Sequence, residues 1–419
     1  MARRGTHPRI TQGDDGYWHA WVVVGKKPNG KLDRRHISRP TENEAIDRVD
    51  ELLDQKRKGA VVRQGRAPTV QQWMETYLTT IAPSGGRCDP GTIRDYRSIC
   101  TNWVYPVMGG TRIDQLQPEQ LDQVYLQMHQ AGRAASTVLK AHRILTRALE
   151  IAFRRGVASR NVAKLLDSPE SRPVEQTPLD LAEALQVLNA AWALPRNGAR
   201  WAVGLSLGLR QGEALGLRWS YLDLDRAEMR VWWQLRRRTF DHGCNPSCGR
   251  RRGGNCPARR MEIRSGEIPL EGGLLLKEPK GTGKRLVPLP TEVVALLRRH
   301  QAGQAIEQVL AGDLYVDHDL VFCQPDGRPI DPAADHKQWK GLCREAGVDE
   351  ARLHDGRHTA GSMMLALGAD ISTVQEVLGH SDVRTTRGYV HVASEMARAA
   401  TQRMGAALFG NQMHGKLHG

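Results

Sequence analysis

The sequence predicts a multidomain chain that is mainly α-helical and carries small β-sheets. Three observations predict it. The chain has 419 residues, more than the roughly 100–200 of a typical domain, so two or three domains with separate apolar cores are expected. Apolar residues recur at helical spacing through residues 69–170, in runs divided by proline and glycine. Strand composition is confined to short stretches around residues 17–37, 229–237 and 285–289.

Residues 1–65 read as a small three-stranded sheet plus a helix. Tyr17 to Val24 and Lys31 to Ile37 are the legible strands, with Pro28-Asn29-Gly30 as the turn between them. Thr41-Glu42-Asn43-Glu44 is a capping box, and it opens a helix with Ala45, Val49, Leu52 and Leu53 on one face. This segment carries fourteen Lys and Arg against nine Asp and Glu. Gln64 to Pro68 is linker-like, so a second, helical domain is expected over residues 66–170. Its helices are Val70 to Ile81, Thr92 to Val104, a Pro118-led helix with Leu121, Val124, Tyr125 and Met128 inward, and Thr137 to Arg155. On the last, Lys140, Arg143, Arg147 and Arg154 form a basic stripe beside the apolar Ala141, Leu145, Ala148 and Ala152. A solvated face is the common reason for such a stripe, and contact with backbone phosphates is the reading favoured here.

A second linker, Ser168 to Gln176, leads into the third segment, residues 171–409. Thr177-Pro178-Leu179-Asp180 offers an N-cap, a proline at the first helical position and an acid in the first turn; Leu181, Leu185, Leu188 and Trp192 continue the expected buried face. Residues 410–419 lack periodicity and read as a disordered tail.

The bulk chemistry narrows the partner. A net charge of +14 and a pI near 9.7 point to a polyanion, of which nucleic acid is the commonest. Seven scattered cysteines, an odd number, argue against a disulfide scaffold and for a reducing compartment. The basic Met1-Ala2-Arg3-Arg4 start has no apolar run behind it, and no stretch approaches the ~18 apolar residues of a membrane span. A soluble cytoplasmic protein is the expectation.

The most specific residues lie late in the chain. They are Gly208-Leu209-Arg210-Gln211-Gly212-Glu213, His354-Asp355-Gly356-Arg357-His358-Thr359, and Leu378-Gly379-His380 followed nine residues later by Tyr389. Cleaving a phosphodiester without water needs a nucleophile and cationic donors for the charge that builds on the phosphorus oxygens. Arginine suits that task because its planar fork bonds two oxygens and never loses its charge. Each motif alone has a dull explanation, such as a helix start, a glycine cap or a core tyrosine. Together, in this order, they resemble the tyrosine recombinases of the phage integrase family.

That resemblance implies a set of roles. Arg210 and Arg357 would bind the scissile phosphate, with Glu213 orienting Arg210. His354 would act as general acid/base, His380 would hydrogen-bond the phosphate, and Tyr389 would be the nucleophile. The family protonates the leaving 5′-oxygen with a lysine on a β-hairpin, and Lys280 matches it, with Lys277 and Lys284 as alternatives in the same stretch. No cofactor and no catalytic metal are implied. The resemblance makes residues 1–65 an arm-type DNA-binding domain, 66–170 a SAM-like core-binding domain, and 171–409 a mixed α+β catalytic domain of the DNA breaking-rejoining type. It implies double-stranded DNA at core and arm attachment sites, a homotetramer on that DNA, and a host DNA-bending protein and an excisionase-type directionality factor as partners. Rival readings are a chromosome-dimer resolvase, an inactive DNA-binding regulator and a type IB topoisomerase. One departure stands out: Gly356 replaces a large apolar residue and is expected to loosen Arg357.

An unusual insertion precedes the lysine stretch. Residues 230–264 hold ten arginines against two acids, and His242, Cys244, Cys248 and Cys256 could supply four tetrahedral ligands to zinc. Their spacing fits no standard finger, and a basic loop with unligated thiols is the alternative.

Overall fold

The computed structural model describes residues 8–26, 31–57, 67–84, 88–171, 178–194, 196–244, 248–279, 284–348 and 351–379. Lys280, His380 and Tyr389 lie outside these residues, as do the expected Pro28-Asn29-Gly30 turn and C-terminal tail. The chain divides into two compact units, Met1–Val174 and Glu175–Gly419.

The first unit begins with an antiparallel sheet of β1 (Ile10–Gln12), β2 (Trp18–Lys26) and β3 (Leu32–Arg39), followed by α1 (Glu42–Arg57). Alternation along β2 sends Ala20, Val22 and Val24 to one face, where Ile37, Val49 and Leu52 close a small core beneath α1. The opposite face stays open: Trp21 pairs with His36, and Val23 with Arg34.

The rest of this unit is helical. α2 (Val70–Thr76) is opened by a Thr69–Gln72 capping box and continues through a wider turn at Tyr77–Ile81. α3 (Pro90–Ile99) runs through a second such turn, Cys100–Val104, into α4 (Tyr105–Met108). α5 (Pro118–Gln130) and α6 (Ala135–Arg154) complete the bundle. Leu121, Val124, Tyr125 and Met128 of α5 and Ala141, Leu145, Ala148 and Ala152 of α6 are buried together, on the faces the spacing predicts. The buried Tyr125 hydroxyl meets its polar requirement at His142 Nδ1, 3.1 Å away.

The second unit opens with α7 (Leu181–Ala193), and here the sequence reading needs correcting. The N-cap is Asp180, whose carboxylate accepts from the Glu183 backbone N–H, while Thr177 lies outside the described residues. The buried face is Ala184, Val187 and Ala191, whereas Leu181, Leu185 and Trp192 are at least half exposed. The physical reason is room. Trp201 and Trp339 meet at a tilt, with ring centroids 5.5 Å apart, in the core beneath this helix; small α7 residues cover them, with Leu188 packing partly buried at the edge. Trp201 comes from α8 (Gly198–Leu207), which α9 (Gln211–Leu215) follows.

Next come β4 (Leu222–Asp223), β5 (Glu228–Val231), β6 (Gln234–Arg237), β7 (Ile268–Pro269), β8 (Leu274–Lys277) and β9 (Arg285–Pro288). They form two antiparallel sheets, ordered β4-β5-β9 and β6-β8-β7. The short sheet expected around Met229 to Arg237 and Arg285 to Leu289 is present as the β5–β9 pair, but it breaks at Trp232-Trp233, and β6 joins the second sheet. The lysine stretch also departs from expectation, because β8 and β9 do not pair with each other. β9 pairs with β5 and β8 with β6, with Arg285 opposite Val231 and Lys277 opposite Gln234. α10 (Thr291–Ala311), α11 (Pro332–Glu345), α12 (Asp355–Ala366) and α13 (Ile371–Leu378) complete the described unit. No described helix is long and apolar enough to cross a membrane.

Candidate active site

The site is built where α8 turns into α9. Gly208 ends α8 in the left-handed conformation at φ 61°, and a Cβ there would lie 2.4 Å from Leu378 Cδ2. Only glycine allows both the turn and the close approach of α13. The turn delivers Arg210 to the N-cap of α9. Glu213, one turn on, accepts from Arg210 Nη1 at 2.7 Å and from its backbone N–H at 3.1 Å.

Glu213 is almost fully buried, and its second partner is one that the sequence reading missed. Arg285, at the start of β9, donates to Glu213 Oε2 at 2.9 Å and to the Val377 carbonyl at 2.7 Å. Burial alone would raise the Glu213 carboxyl, but Arg285 and Arg210 outweigh it and hold it below the usual range. The carboxylate thus stays charged between two guanidiniums. Arg285 is a positioning residue that ties α9, β9 and α13 together.

α12 supplies the second cation. Arg357 is only 3% exposed; its guanidinium donates to the Gly208 carbonyl at 2.7 Å and the Leu378 carbonyl at 2.5 Å. Arg210 Nη2 reaches the next carbonyl, Gly379, at 3.2 Å. Both arginines therefore converge on the C-terminal turn of α13, whose dipole and free carbonyls favour positive charge. Gly379 caps that helix at φ 67°, as the Leu378-Gly379 pair predicts. At Gly356 the close packing supplies a reason for the glycine. A Cβ at Gly356 would lie 3.1 Å from Leu205 Cδ2, so the space a large residue would take is already filled by the Trp201–Trp339 layer.

His354 caps α12 and faces His358 edge-on, with ring centroids 5.1 Å apart. Burial pushes its pKa below the ordinary 6.5, and the nearby His358, Arg357 and Arg210 charges add to the shift against Asp355. A neutral imidazole follows at pH 7. His354 and Arg210 line a cleft of about 980 Å³ whose other walls include His336, Lys337, Lys340, Arg344 and Arg352. Such a basic groove suits a phosphate backbone.

The structure thus gathers Arg210, Glu213, His354 and Arg357 at the turn that leads into His380, which with Tyr389 and Lys280 lies outside the described residues. The two alternative lysines are both occupied. Lys284 Nζ is 2.6 Å from Glu278 and lies over the Trp232 ring, and Lys277 is 4.0 Å from Glu267. Lys140, Arg143, Arg147 and Arg154 are exposed on α6 in the other unit. Lys140 lies 3.6 Å from Asp95 and Arg154 3.0 Å from Glu150. Among the described residues Arg143 and Arg147 have no carboxylate within 4.0 Å, which leaves them the freer of the four.

Two clustered arginines, a buried carboxylate between guanidiniums and a neutral histidine beside a basic cleft form an arrangement chemically suited to binding and stabilising a phosphate group. Comparison with known proteins gives its family. The sequence profile of the Phage integrase family matches residues 258–396. An integrase of Saccharopolyspora erythraea is 34% identical, covering 96% of this chain and 96% of that protein. A XerC-like tyrosine recombinase of Caldanaerobacter subterraneus subsp. tengcongensis is 25% identical over 93% of this chain and 95% of its own length. The solved Tn1549 transposon integrase, in complex with transposon right-end DNA, superposes with a TM-score of 0.61 at 19% identity, covering 81% of this chain and 100% of that one. The chain belongs to the phage integrase family, the tyrosine recombinases, and is a site-specific DNA recombinase.

Proposed function

We propose that this recombinase integrates a phage or other mobile element into a bacterial chromosome, acting in the cytoplasm through Tyr389. The observation that carries the reading is the convergence of Arg210 and Arg357 on the end of α13, with His354 beside them. Tyr389 follows that turn by ten residues in the sequence. Its phenolic oxygen attacks the scissile phosphorus, forming a 3′-phosphotyrosyl bond as the bond to the 5′-oxygen breaks. Lys280 protonates that oxygen; His354 takes the phenolic proton, since its depressed pKa leaves it free to accept one. Arg210, Arg357 and His380 stabilise the added charge on the phosphate. The 5′-hydroxyl of a partner strand then reverses the step, so bond energy is conserved and ATP is not needed. Two such exchanges use four active sites, hence a tetramer passing through a Holliday junction.

The remaining domains serve placement. Residues 1–65 bind arm sites through the open sheet face of Trp21, Arg34 and His36, an established β-ribbon mode. Residues 66–170 hold the core site, with Lys140, Arg143, Arg147 and Arg154 on its phosphates. Residues 171–409 carry the chemistry. A host bending protein and an excisionase-type factor fit this scheme as partners. The XerC-like relative favours chromosome resolution as a second reading. Recombination between a mobile-element site and a chromosomal site on two plasmids supports integration; activity only on a pair of identical chromosomal sites supports resolution.

Two results are expected of the cleavage step. Because arginines and histidines supply the electrophilic role that a metal plays elsewhere, covalent complex formation on a nicked suicide substrate should survive brief excess EDTA. Loss of cleavage that magnesium restores would overturn the mechanism. Second, the His354 base should stay neutral as pH falls through 6.5, so the acid limb of single-turnover cleavage at subsaturating protein should lie below pH 6.5. A limb centred above that value, or one unchanged in His354→Gln, removes His354 from the role.

A further inference from the structure

We propose that His242, Cys244, Cys248 and Cys256 hold a structural zinc ion, with one imidazole nitrogen and three thiolates as ligands. The four ligand atoms lie within 4.8 Å of one another. His242 Nδ1 is 3.7 Å from Cys244 Sγ and 3.5 Å from Cys248 Sγ. Tetrahedral zinc, with bonds of about 2.3 Å to sulfur and 2.0–2.1 Å to nitrogen, sets neighbouring ligand atoms about 3.5–3.8 Å apart. The three thiols are free rather than paired, and their odd number would leave one over in any disulfide scheme. With four protein ligands the sphere is closed, so the ion organises the fold and stays apart from phosphoryl transfer.

The surrounding segment explains what the ion is for. Residues 239–272 leave the ribbon at β6 and return at β8, and among the described residues there Cys256 alone is buried. The base of the segment is held by the Arg238–Glu267 ion pair, and Arg259 lies over the Phe240 ring; around the four ligands the order is largely backbone-made. Asp241 and Arg260 exchange two hydrogen bonds, at 2.8 and 3.0 Å. Gly243 packs on the Ala258 carbonyl and Gly253 on that of Phe240 so closely that a Cβ would lie 2.0 and 2.1 Å away. These two contacts bring the His242–Cys244 strand end against the turn that carries Cys256. A segment of this length without an apolar core needs another source of stability, and metal ligation supplies it in small domains. Charge favours the same answer. Zinc with three thiolates and a neutral imidazole carries a net −1, placed amid a segment with ten arginines and two acids between residues 230 and 264. Sulfur-rich tetrahedral ligation selects zinc over magnesium or calcium.

The test is metal content of the full-length protein purified without chelator. We expect about one zinc per chain, and on exchange with cobalt(II) an intense thiolate-to-cobalt band in the near ultraviolet with the strong visible bands of a tetrahedral site. Cys244→Ser and Cys256→Ser should each lose most of the zinc. Cys88→Ser, outside the cluster, and Tyr389→Phe should keep it, which separates this site from the cleavage chemistry. Should the serine variants fail to fold, the cobalt spectrum of the wild-type chain decides alone. Zinc far below one per chain after purification in zinc-containing buffer, a six-coordinate cobalt spectrum, or a disulfide among these cysteines would overturn the proposal.

Discussion

Tyr389→Phe is expected to bind its DNA site nearly as well as the wild type and to form no covalent complex above background. The substitution removes one oxygen. Affinity for DNA comes mainly from cationic contacts with phosphates, which the proposed function assigns to the exposed α6 stripe, the basic cleft and the N-terminal sheet and not to Tyr389. Cleavage has no substitute nucleophile in this scheme, because His354 and the arginines are placed to move a proton and to hold charge. The readout is a suicide substrate resolved on a denaturing gel beside a binding assay at the same salt. An adduct from the phenylalanine variant would show that another residue attacks.

The second large effect concerns the arginines. Arg210→Ala and Arg357→Ala should each slow cleavage by at least about a hundredfold, the usual cost of losing one transition-state donor. The structure predicts that they differ in stability. Arg210 is partly exposed, and Glu213 keeps Arg285 when it goes, so the fold of Arg210→Ala should be nearly unchanged. Arg357 is buried, and its loss strands the carbonyls of Gly208 and Leu378, at about 1–3 kcal/mol for each unsatisfied group. A clear drop in Tm is therefore expected for Arg357→Ala only. Lysine at either position should rescue in part, since an ammonium cannot bond two oxygens in a plane. Full activity in both lysine variants would reduce the arginines to simple counter-charges.

Much of this was legible in the sequence, and the reasons differ by element. α5 and α6 were readable because apolar residues at helical spacing and a leading Pro118 are local signals. The Arg210–Glu213 pair was readable because residues three apart share a helix face. Arg285 was not, since its bond to Glu213 spans 72 positions and depends on β9 pairing with β5. β8 was missed because Leu274-Leu275-Leu276 is too short and too uniformly apolar to distinguish a strand from a buried helix turn. The buried face of α7 is not legible in the sequence, because its large apolar residues invite an inward reading while two tryptophans from other helices occupy that space. The tight space at Gly356, where a Cβ would meet Leu205, is likewise set by residues distant in the sequence. The His242–Cys256 cluster was visible as residue types, but only folding brings its four ligand atoms within 4.8 Å.

The central claim is that Tyr389 carries the strand through a 3′-phosphate linkage while the Arg210–His354–Arg357 cluster holds the reacting group. The most direct measurement is to trap the full-length protein on a suicide substrate, digest the adduct with protease and nuclease, and sequence the nucleotide-bearing peptide by mass spectrometry. The account predicts a single modified peptide, with the nucleotide joined through its 3′-phosphate to the Tyr389 oxygen. A nucleotide on any other residue, or one attached through a 5′-phosphate, would contradict it.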